Sequence, residues 1–210
     1  MINVLIADDH PVVREGLKQI ISKADDMTIC AEALDGFEVL EKIEQVQLDI
    51  VVLDLGMPGR DGLEVLKDIK KINPGLPVLV LSMYPEDQVA VRTFKLGASG
   101  YMNKETAPKE LVNAIRKITG GGRYVSPALA EKLVAGLETK SEKDVNEILS
   151  DREFQVLRLI AVGKDVEEIA EELFISVKTV RTYRDRILEK LKLKNNVEIA
   201  HYAIQNKLLE

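Results

Sequence analysis

The residues of this chain best suited to chemistry stand where apolar runs stop. Leu48-Asp49-Ile50-Val51-Val52-Leu53-Asp54-Leu55-Gly56-Met57-Pro58 is apolar without polar alternation and then halts at Asp54, with Gly and Pro close behind. A strand buried on both faces of a parallel sheet reads this way. Its last residue emerges at the C-terminal edge, where open α/β proteins place their ligand sites. An earlier run over residues 3–7 ends at Asp8-Asp9, a later one over Pro77–Ser82 ends at Ser82, and Ser99-Gly100-Tyr101-Met102 leads to Lys104. Carboxylates crowded at one edge raise one another's pKa unless a cation is present. A hard divalent ion with oxygen ligands, Mg²⁺ above all, relieves that repulsion and leaves room for a phosphoryl oxygen. With the Lys104 ammonium and the Ser82 hydroxyl, the set suits phosphoryl transfer: a carboxylate nucleophile, a metal, and donors for the transferred oxygens. Taken singly, each Asp also reads as a loop cap and Lys104 as a solvated side chain. The functional reading rests on Asp8, Asp9, Asp54, Ser82 and Lys104 occurring together.

The elements that must position these residues follow from periodicity. After Asp8-Asp9, Pro11 sits where a helix would start, and Val12, Val13, Leu17, Ile20 and Ile21 recur at helical spacing. Met27–Ala33 is a second strand, and Asp35-Gly36 turns into a helix carrying Val39, Leu40 and Ile43. The central strand is followed by a helix from about Asp61 to Ile72, broken by Asn73-Pro74-Gly75. Residues 86–96 are amphipathic and end at Gly97, a C′ position. Pro108 opens a helix with Leu111, Ala114, Ile115 and Ile118, stopped by Gly120-Gly121-Gly122. Strands and helices alternating five times over residues 1–122 predict an α/β domain with a doubly wound five-stranded parallel sheet.

Composition narrows the class. The 210 residues suffice for one large domain or two small ones. No segment approaches the ~18 continuous apolar residues of a membrane span, and the N-terminal stretch lacks the basic flank of a signal peptide. The single cysteine, Cys30, lies among apolar residues and reads as a small core hydrophobe, and a reducing cytoplasm fits best. With no Trp, the core must be aliphatic. A net charge of −6 excludes a broadly basic surface but leaves room for a local basic patch.

Beyond the glycines the character changes. Residues 127–137 predict one helix, and Thr139–Asn146 is polar without apolar periodicity, so 123–146 reads as a linker. From Ile148 onward no strand pattern appears. Ser150-Asp151-Arg152-Glu153 fits a capping box, opening a helix that ends at Gly163. A second helix covers about 166–173, and a short turn leads to Ser176 as N-cap of a third that runs to about Leu191. A fourth starts at Asn195 or Asn196. Two short helices joined by a tight turn inside a four-helix module suggest a helix-turn-helix. Acidic residues crowd the second helix, whereas Lys178, Arg181, Arg184, Arg186, Lys190, Lys192 and Lys194 mark the third helix and the residues after it. Alone, such a helix could be a solvated face with pairs such as Arg181–Asp185; after a tight turn it suits a major groove.

Asp8-Asp9, Asp54 with Pro58, Ser82, and Lys104 with Tyr101 before it resemble the receiver domain of two-component response regulators, over about residues 1–120. The resemblance implies a flavodoxin-like fold in which Asp54 accepts a phosphoryl group from a phosphohistidine on a sensor kinase. It implies that Asp9, Asp54 and the Gly56 backbone carbonyl bind Mg²⁺, with Asp8 helping through water, and that Lys104 and Ser82 hold the phosphoryl oxygens. Ser82 and Tyr101 would form the switch pair, the ring turning inward as the hydroxyl moves. Gly56 is a departure that leaves no side chain beside the hydrolytic water, and Glu105 stands where many receivers have Pro.

Leu149-Ser150-Asp151-Arg152-Glu153, Ile169-Ala170 and Ile175-Ser176-Val177-Lys178-Thr179-Val180 resemble the LuxR-type helix-turn-helix, over about residues 147–210. Together the two parts are similar to the NarL/FixJ group of response regulators. The match implies DNA contacts from Lys178, Thr179, Arg181, Thr182, Arg184 and Asp185, with bases met by Arg181, Thr182 and the position of Asp185, and phosphates by Lys178 and Arg184. Asp185 departs from the basic or amide residue common there; it could accept from cytosine N4 or orient Arg181. The last helix mediates dimerisation in that group, and Val197, Ala200 and Ile204 fit either this or the module's own core. The implied partners are a sensor histidine kinase, double-stranded promoter DNA, RNA polymerase, and a second copy in a homodimer when phosphorylated or DNA-bound. His10 and His201 stand at no metal-ligand spacing and read as ordinary side chains.

Two rival readings fit parts of this pattern. A phosphatase or phosphotransferase with an Asp nucleophile needs an acid/base carboxylate two residues beyond it, where Gly56 stands. A receiver working through protein partners, or binding DNA without phosphorylation, is disfavoured by the complete acidic set.

Overall fold

The fold is a computed structural model that describes residues 1–57, 60, 62–83, 86–127, 129–130, 149–206 and 208. Two compact units divide the chain, Met1–Lys140 and Ser141–Glu210.

In the first unit, β1 (Ile2–Ala7), β2 (Met27–Ala33), β3 (Ile50–Asp54), β4 (Val78–Ser82) and β5 (Gly100–Asn103) form one sheet in the order β2-β1-β3-β4-β5. All four pairings are parallel. The helices between and after them are α1 (Pro11–Ile21), α2 (Gly36–Gln45), α3 (Gly62–Ile72), α4 (Glu86–Lys95) and α5 (Ala107–Thr119). Parallel strands require such crossovers, which cover both faces of the sheet and explain the unbroken apolar runs. Strand alternation divides the core. Leu5, Val51, Leu53, Val78 and Val80 pack with Val39 of α2 and Leu66 and Ile69 of α3. Val4, Ile6, Ile50, Val52 and Leu79 pack on the other side with Leu17 and Ile21 of α1 and Leu111, Ile115 and Ile118 of α5. After α4, Gly97 takes φ +99°, a left-handed turn that an L side chain rarely adopts.

The observed order reverses direction between β1 and β3, which creates a crevice outside their C-terminal ends. The acidic residues flagged in the sequence arrive at this crevice.

Cys30 departs from expectation, being exposed. Val4 pairs with Ile29 and Leu5 with Ala31, so Cys30 is the extra residue of a β-bulge on the edge strand β2. A bulge turns one side chain out of the alternation, which the apolar neighbours of Cys30 could not reveal. The helix expected at 127–137 begins with Ala130 N–H donating to the Ser126 carbonyl at 2.9 Å; its later part, like Pro58, lies outside the described residues.

The second unit is helical: α6 (Asp151–Ala161), α7 (Val166–Glu172), α8 (Val177–Leu191) and α9 (Asn196–Gln205). Leu157 and Ile160 of α6, Ile169 of α7, Val180 and Ile187 of α8, and Ile199 and Ala203 of α9 share one core. Ser150 and Glu153 make the expected capping box, Asp165 and Glu168 make a second, and Ser176 and Asn195 cap α8 and α9. Each cap satisfies an otherwise orphaned amide of the first turn.

Candidate functional site

Asp54 ends β3 and is 3% exposed, and Asp8, just beyond β1, is 1% exposed. Gly56 N–H donates to Asp54 Oδ1 at 3.0 Å, and His10 N–H donates to Asp8 Oδ1 at 2.9 Å. The other oxygen of each carboxylate faces Lys104, whose Nζ lies 2.7 Å from Asp8 Oδ2 and 2.8 Å from Asp54 Oδ2. Lys104 is placed by the loop after β5, where its backbone N–H donates to the Ser82 carbonyl at 2.9 Å.

Burial opposes charge on both partners. It pushes the Asp54 carboxyl above its ordinary range, with Lys104 pulling the other way and Asp8 adding to the rise. For Lys104 burial lowers the pKa, but Asp54 and Asp8 outweigh it and hold the ammonium above its ordinary value. Lys104 therefore remains a cation between two carboxylates, a state sustained by proximity.

Asp9 completes the acidic group. Ligand atoms of Asp8, Asp9, His10 and Asp54 lie within 4.8 Å of one another. Asp8 Oδ2, Asp9 Oδ1 and Asp54 Oδ2 are buried and take no well-angled hydrogen bond; the close ion pairs to Lys104 and His10 meet them instead. Hard, partly unsatisfied carboxylate oxygens of this kind fit a divalent cation such as Mg²⁺. His10, which stands at no metal-ligand spacing in the sequence, places Nδ1 2.9 Å from Asp9 Oδ1. Its only advance signal was adjacency to Asp8-Asp9.

Ser82 ends β4, beside β3, with its side chain buried. Tyr101 lies on β5 fully buried, in the core layer that includes Ala90 of α4. The ring thus already occupies an interior position. A Cβ at Gly56 would stand 3.4 Å from Asp54 Oδ2, ordinary contact, so glycine is not demanded there by crowding.

In the second unit the turn between α7 and α8 leaves Phe174 exposed at φ 53°. Lys178, Arg181, Thr182 and Asp185 are exposed on α8, opposite the buried Val180 and Ile187. Thr179 is half-buried, its hydroxyl 2.7 Å from that of Ser176. Thr182 Oγ1 donates to the Lys178 carbonyl at 3.0 Å. The pairing differs from the one considered in the sequence: Asp185 lies 3.2 Å from Arg184 Nη1, and no Arg181–Asp185 pair occurs among the described residues. Arg184 Nε also donates to Asn196 Oδ1 at 2.7 Å, tying α8 to the start of α9. This tie joins residues twelve apart and has no local sequence signal. Val197 and Ile204 are 77% and 64% exposed, and Ala200 is half-buried, while Ile199 and Ala203 fill the core.

Both units have known relatives. Residues 4–116 match the family model of the response regulator receiver domain, and residues 147–203 that of the bacterial regulatory proteins of the luxR family. The oxygen regulatory protein NreC of Staphylococcus carnosus (strain TM300) is 38% identical over 214 residues, spanning 99% of each chain. A structure of RcsB from Salmonella enterica serovar Typhimurium, bound to promoter rprA in the presence of the phosphomimetic BeF3-, is 30% identical. It aligns with a TM-score of 0.64 over 96% of this chain and 98% of that one. The response regulator ChrA of a heme-sensing two-component system is 33% identical, with a TM-score of 0.52 over 99% and 98% of the two chains. A five-stranded receiver fold followed by a helical helix-turn-helix unit, matched along nearly the full length of such relatives, places this chain in the NarL/FixJ group of DNA-binding response regulators.

Proposed function

We propose that Asp54 accepts a phosphoryl group from the phosphohistidine of a sensor histidine kinase, and that its phosphorylation controls binding of promoter DNA by α8. The observation that carries this reading is the Lys104 ammonium held between Asp8 and Asp54 at the crevice of the sheet. The Asp54 carboxylate supplies the nucleophilic oxygen, and Lys104 supplies a positive charge for the incoming phosphoryl oxygens. The Ser82 hydroxyl donates to the same group, and Ser82 with Tyr101 forms the switch pair. New charge on Asp54 biases a two-state element by adding partners in only one of its states.

Asp9, Asp54 and the Gly56 carbonyl would hold Mg²⁺, with Asp8 helping through water. The ion would neutralise the carboxylates and the developing charge of the transferred group. The organisation proposed is a receiver over 1–122, a linker over 123–146 and a DNA-binding unit over 147–210. Lys178, Thr179, Arg181, Thr182, Arg184 and Asp185 would face DNA, and Val197, Ala200 and Ile204 would join two copies. RNA polymerase is the further partner of such a regulator. No helix of the described residues is long and apolar enough to cross a membrane, and the cytoplasm is the proposed setting.

Exposure to acetyl phosphate with Mg²⁺ should add one phosphoryl group by intact mass, and Asp54→Ala should abolish the addition. Phosphorylation that survives this change rejects the site. Footprinting on the DNA upstream of its own gene, with and without the phosphodonor, should show a phosphorylation-dependent footprint over paired half-sites one helical turn or a multiple of it apart.

A further inference from the structure

We propose that the start of the linker, from Arg123 to Ala130, is a strap on the edge of β5 that tightens when Asp54 is phosphorylated. The switch state then fixes the point where the chain leaves the receiver. The inference rests on reading Asp54 as the phosphorylation site and Ser82 with Tyr101 as its switch pair.

β5 closes one end of the five-stranded sheet, with β4 on its inner side. An uncovered edge strand presents a row of unpaired N–H and C=O groups, and here the linker fills that row. Tyr124 N–H donates to the Ser99 carbonyl at 3.0 Å, and Tyr101 N–H donates to the Tyr124 carbonyl at 3.2 Å. The two bonds flank Gly100, which forms a parallel bridge with Tyr124. A Cβ at Gly100 would stand 3.0 Å from Tyr124 Cβ, so glycine makes room for the close approach. Alternation carries on across the bridge: Tyr124 packs against the layer of α1 and α5, and Val125 against the layer that contains Tyr101. Ser126 Oγ then accepts from Leu129 N–H at 3.1 Å, capping the next helical turn. Leu129 is 1% exposed, in the same layer as Tyr101, Ala90 and Ala98.

Tyr101 therefore serves both ends of the device. Its backbone N–H holds the strap, and its ring fills the layer that receives Val125 and Leu129. Ser82, its partner in the switch, ends the neighbouring β4. A close-packed layer cannot lose a large ring and keep the same fit; it passes between discrete arrangements. Two backbone hydrogen bonds and a few apolar side chains hold the strap, and so small an attachment opens more readily than the sheet interior. The ring position is enough to bias it. The interior ring, which the switch reading assigns to the phosphorylated state, occurs here together with the docked strap.

Hydrogen exchange of the full-length protein with Mg²⁺, with and without acetyl phosphate, tests the strap at the Tyr101 and Tyr124 amides by NMR. Intact mass establishes beforehand that the chain carries the phosphoryl group. Phosphorylation should slow both amides about tenfold, as expected when local opening becomes ten times rarer. Amides of the β1–β2 ladder should keep their rates. Leu129→Ala should take up the phosphoryl group and lose the slowing. Tyr124→Pro, which lacks the N–H given to Ser99, should lose it at Tyr101, so the test does not hang on one variant folding. Unchanged or faster exchange at both amides in the phosphorylated wild type overturns the strap and leaves Asp54 standing. Slowing that persists undiminished in both variants does the same. A wild type that takes up no phosphoryl group overturns both readings.

Discussion

The Lys104 ammonium stands 2.8 Å from Asp54 Oδ2 with almost no solvent on either group. Each is charged because the other is, and Asp8 shares the same ammonium at 2.7 Å. This mutual dependence makes the site costly to leave half-built. It also keeps a buried carboxylate available as a nucleophile.

Replacing Lys104 by Met should therefore strand Asp8 and Asp54 as two buried carboxylates. Breaking a buried ion pair by removing one partner costs roughly 3–5 kcal/mol, and urea unfolding at pH 7 should show a loss of about 3 kcal/mol on that scale. Adding Asp54→Asn to Lys104→Met should restore part of the loss. The sign follows from the Asp54 pKa, which burial raises above the ordinary carboxylate value of 3.8. The folded state then holds a proton that the unfolded chain has released, so ionising Asp54 costs stability as pH rises through that window. Lowering pH toward the window should narrow the gap between Lys104→Met and the wild type.

Glu153 behaves in the opposite sense. Burial pushes its pKa up, but Lys190 Nζ and the Ser150 N–H, each donating to Oε2 at 2.6 Å, outweigh burial and hold it below 4.5. Its contribution is present above pH 4.5 and lost as pH falls through the depressed folded value. Gln can still complete the capping box, so Glu153→Gln isolates the charge. The expected cost at pH 7 is about 1 kcal/mol, allowing for solvent screening of the exposed Lys190. Equilibrium unfolding between pH 3 and pH 7, followed by helical circular dichroism, should show a flatter acid limb in the variant.

Much of the fold was legible because its signals are local. Val4 and Ile6 alternate with Leu5 and Ala7, the Leu48–Asp54 run needs cover on both faces, and Ser150, Ser176 and Asn195 announce helix starts. The gathering of Asp8, Asp54 and Lys104 was legible only through topology, since parallel strands deliver their ends to one edge. What stayed hidden depends on register or on distant pairing. Cys30 is turned out by a one-residue bulge, Arg184 is spent on Asn196 and Asp185 instead of leaving Asp185 to Arg181, and His10 acquires meaning only beside Asp9 in space.

The bulge has a consequence for reactivity. Cys30 is exposed, yet partial burial raises its thiol pKa above 9.0. A thiol reagent should modify one group per native chain without denaturant, more slowly at pH 8 than a free cysteine, because the thiolate is the nucleophile. Cys30→Ser should change stability by less than about 0.5 kcal/mol, as for other surface substitutions. A native protein that resists labelling until unfolded would return Cys30 to the core.

On α8 the exposed side chains separate into two expected behaviours. Lys178→Ala should weaken binding to all DNA sequences alike and reduce the slope of log K against log salt by about 0.9, the loss of one phosphate contact. Arg181→Ala should relax preference at one position of the operator by roughly 1–3 kcal/mol. Fluorescence anisotropy over a salt series, with operator and scrambled duplexes, separates the two. An unchanged slope in the double variant rejects α8 as the DNA-facing helix.

The last helix poses a choice between self-association and packing. Val197 and Ile204 are mostly exposed whereas Ile199 and Ala203 fill the core, so α9 carries an apolar face that its own unit does not need. Val197→Asp with Ile204→Asp should leave unfolding of the free chain within about 0.5 kcal/mol per change, the range of surface substitutions. The same variant should bind a single half-site as the wild type does but lose cooperative occupancy of two half-sites, since repelling charges would then meet across the dimer. Gel-shift titrations on one-site and two-site duplexes, beside urea unfolding, give both readouts. Undiminished cooperativity with intact folding would remove α9 from the dimer and assign that role to another surface.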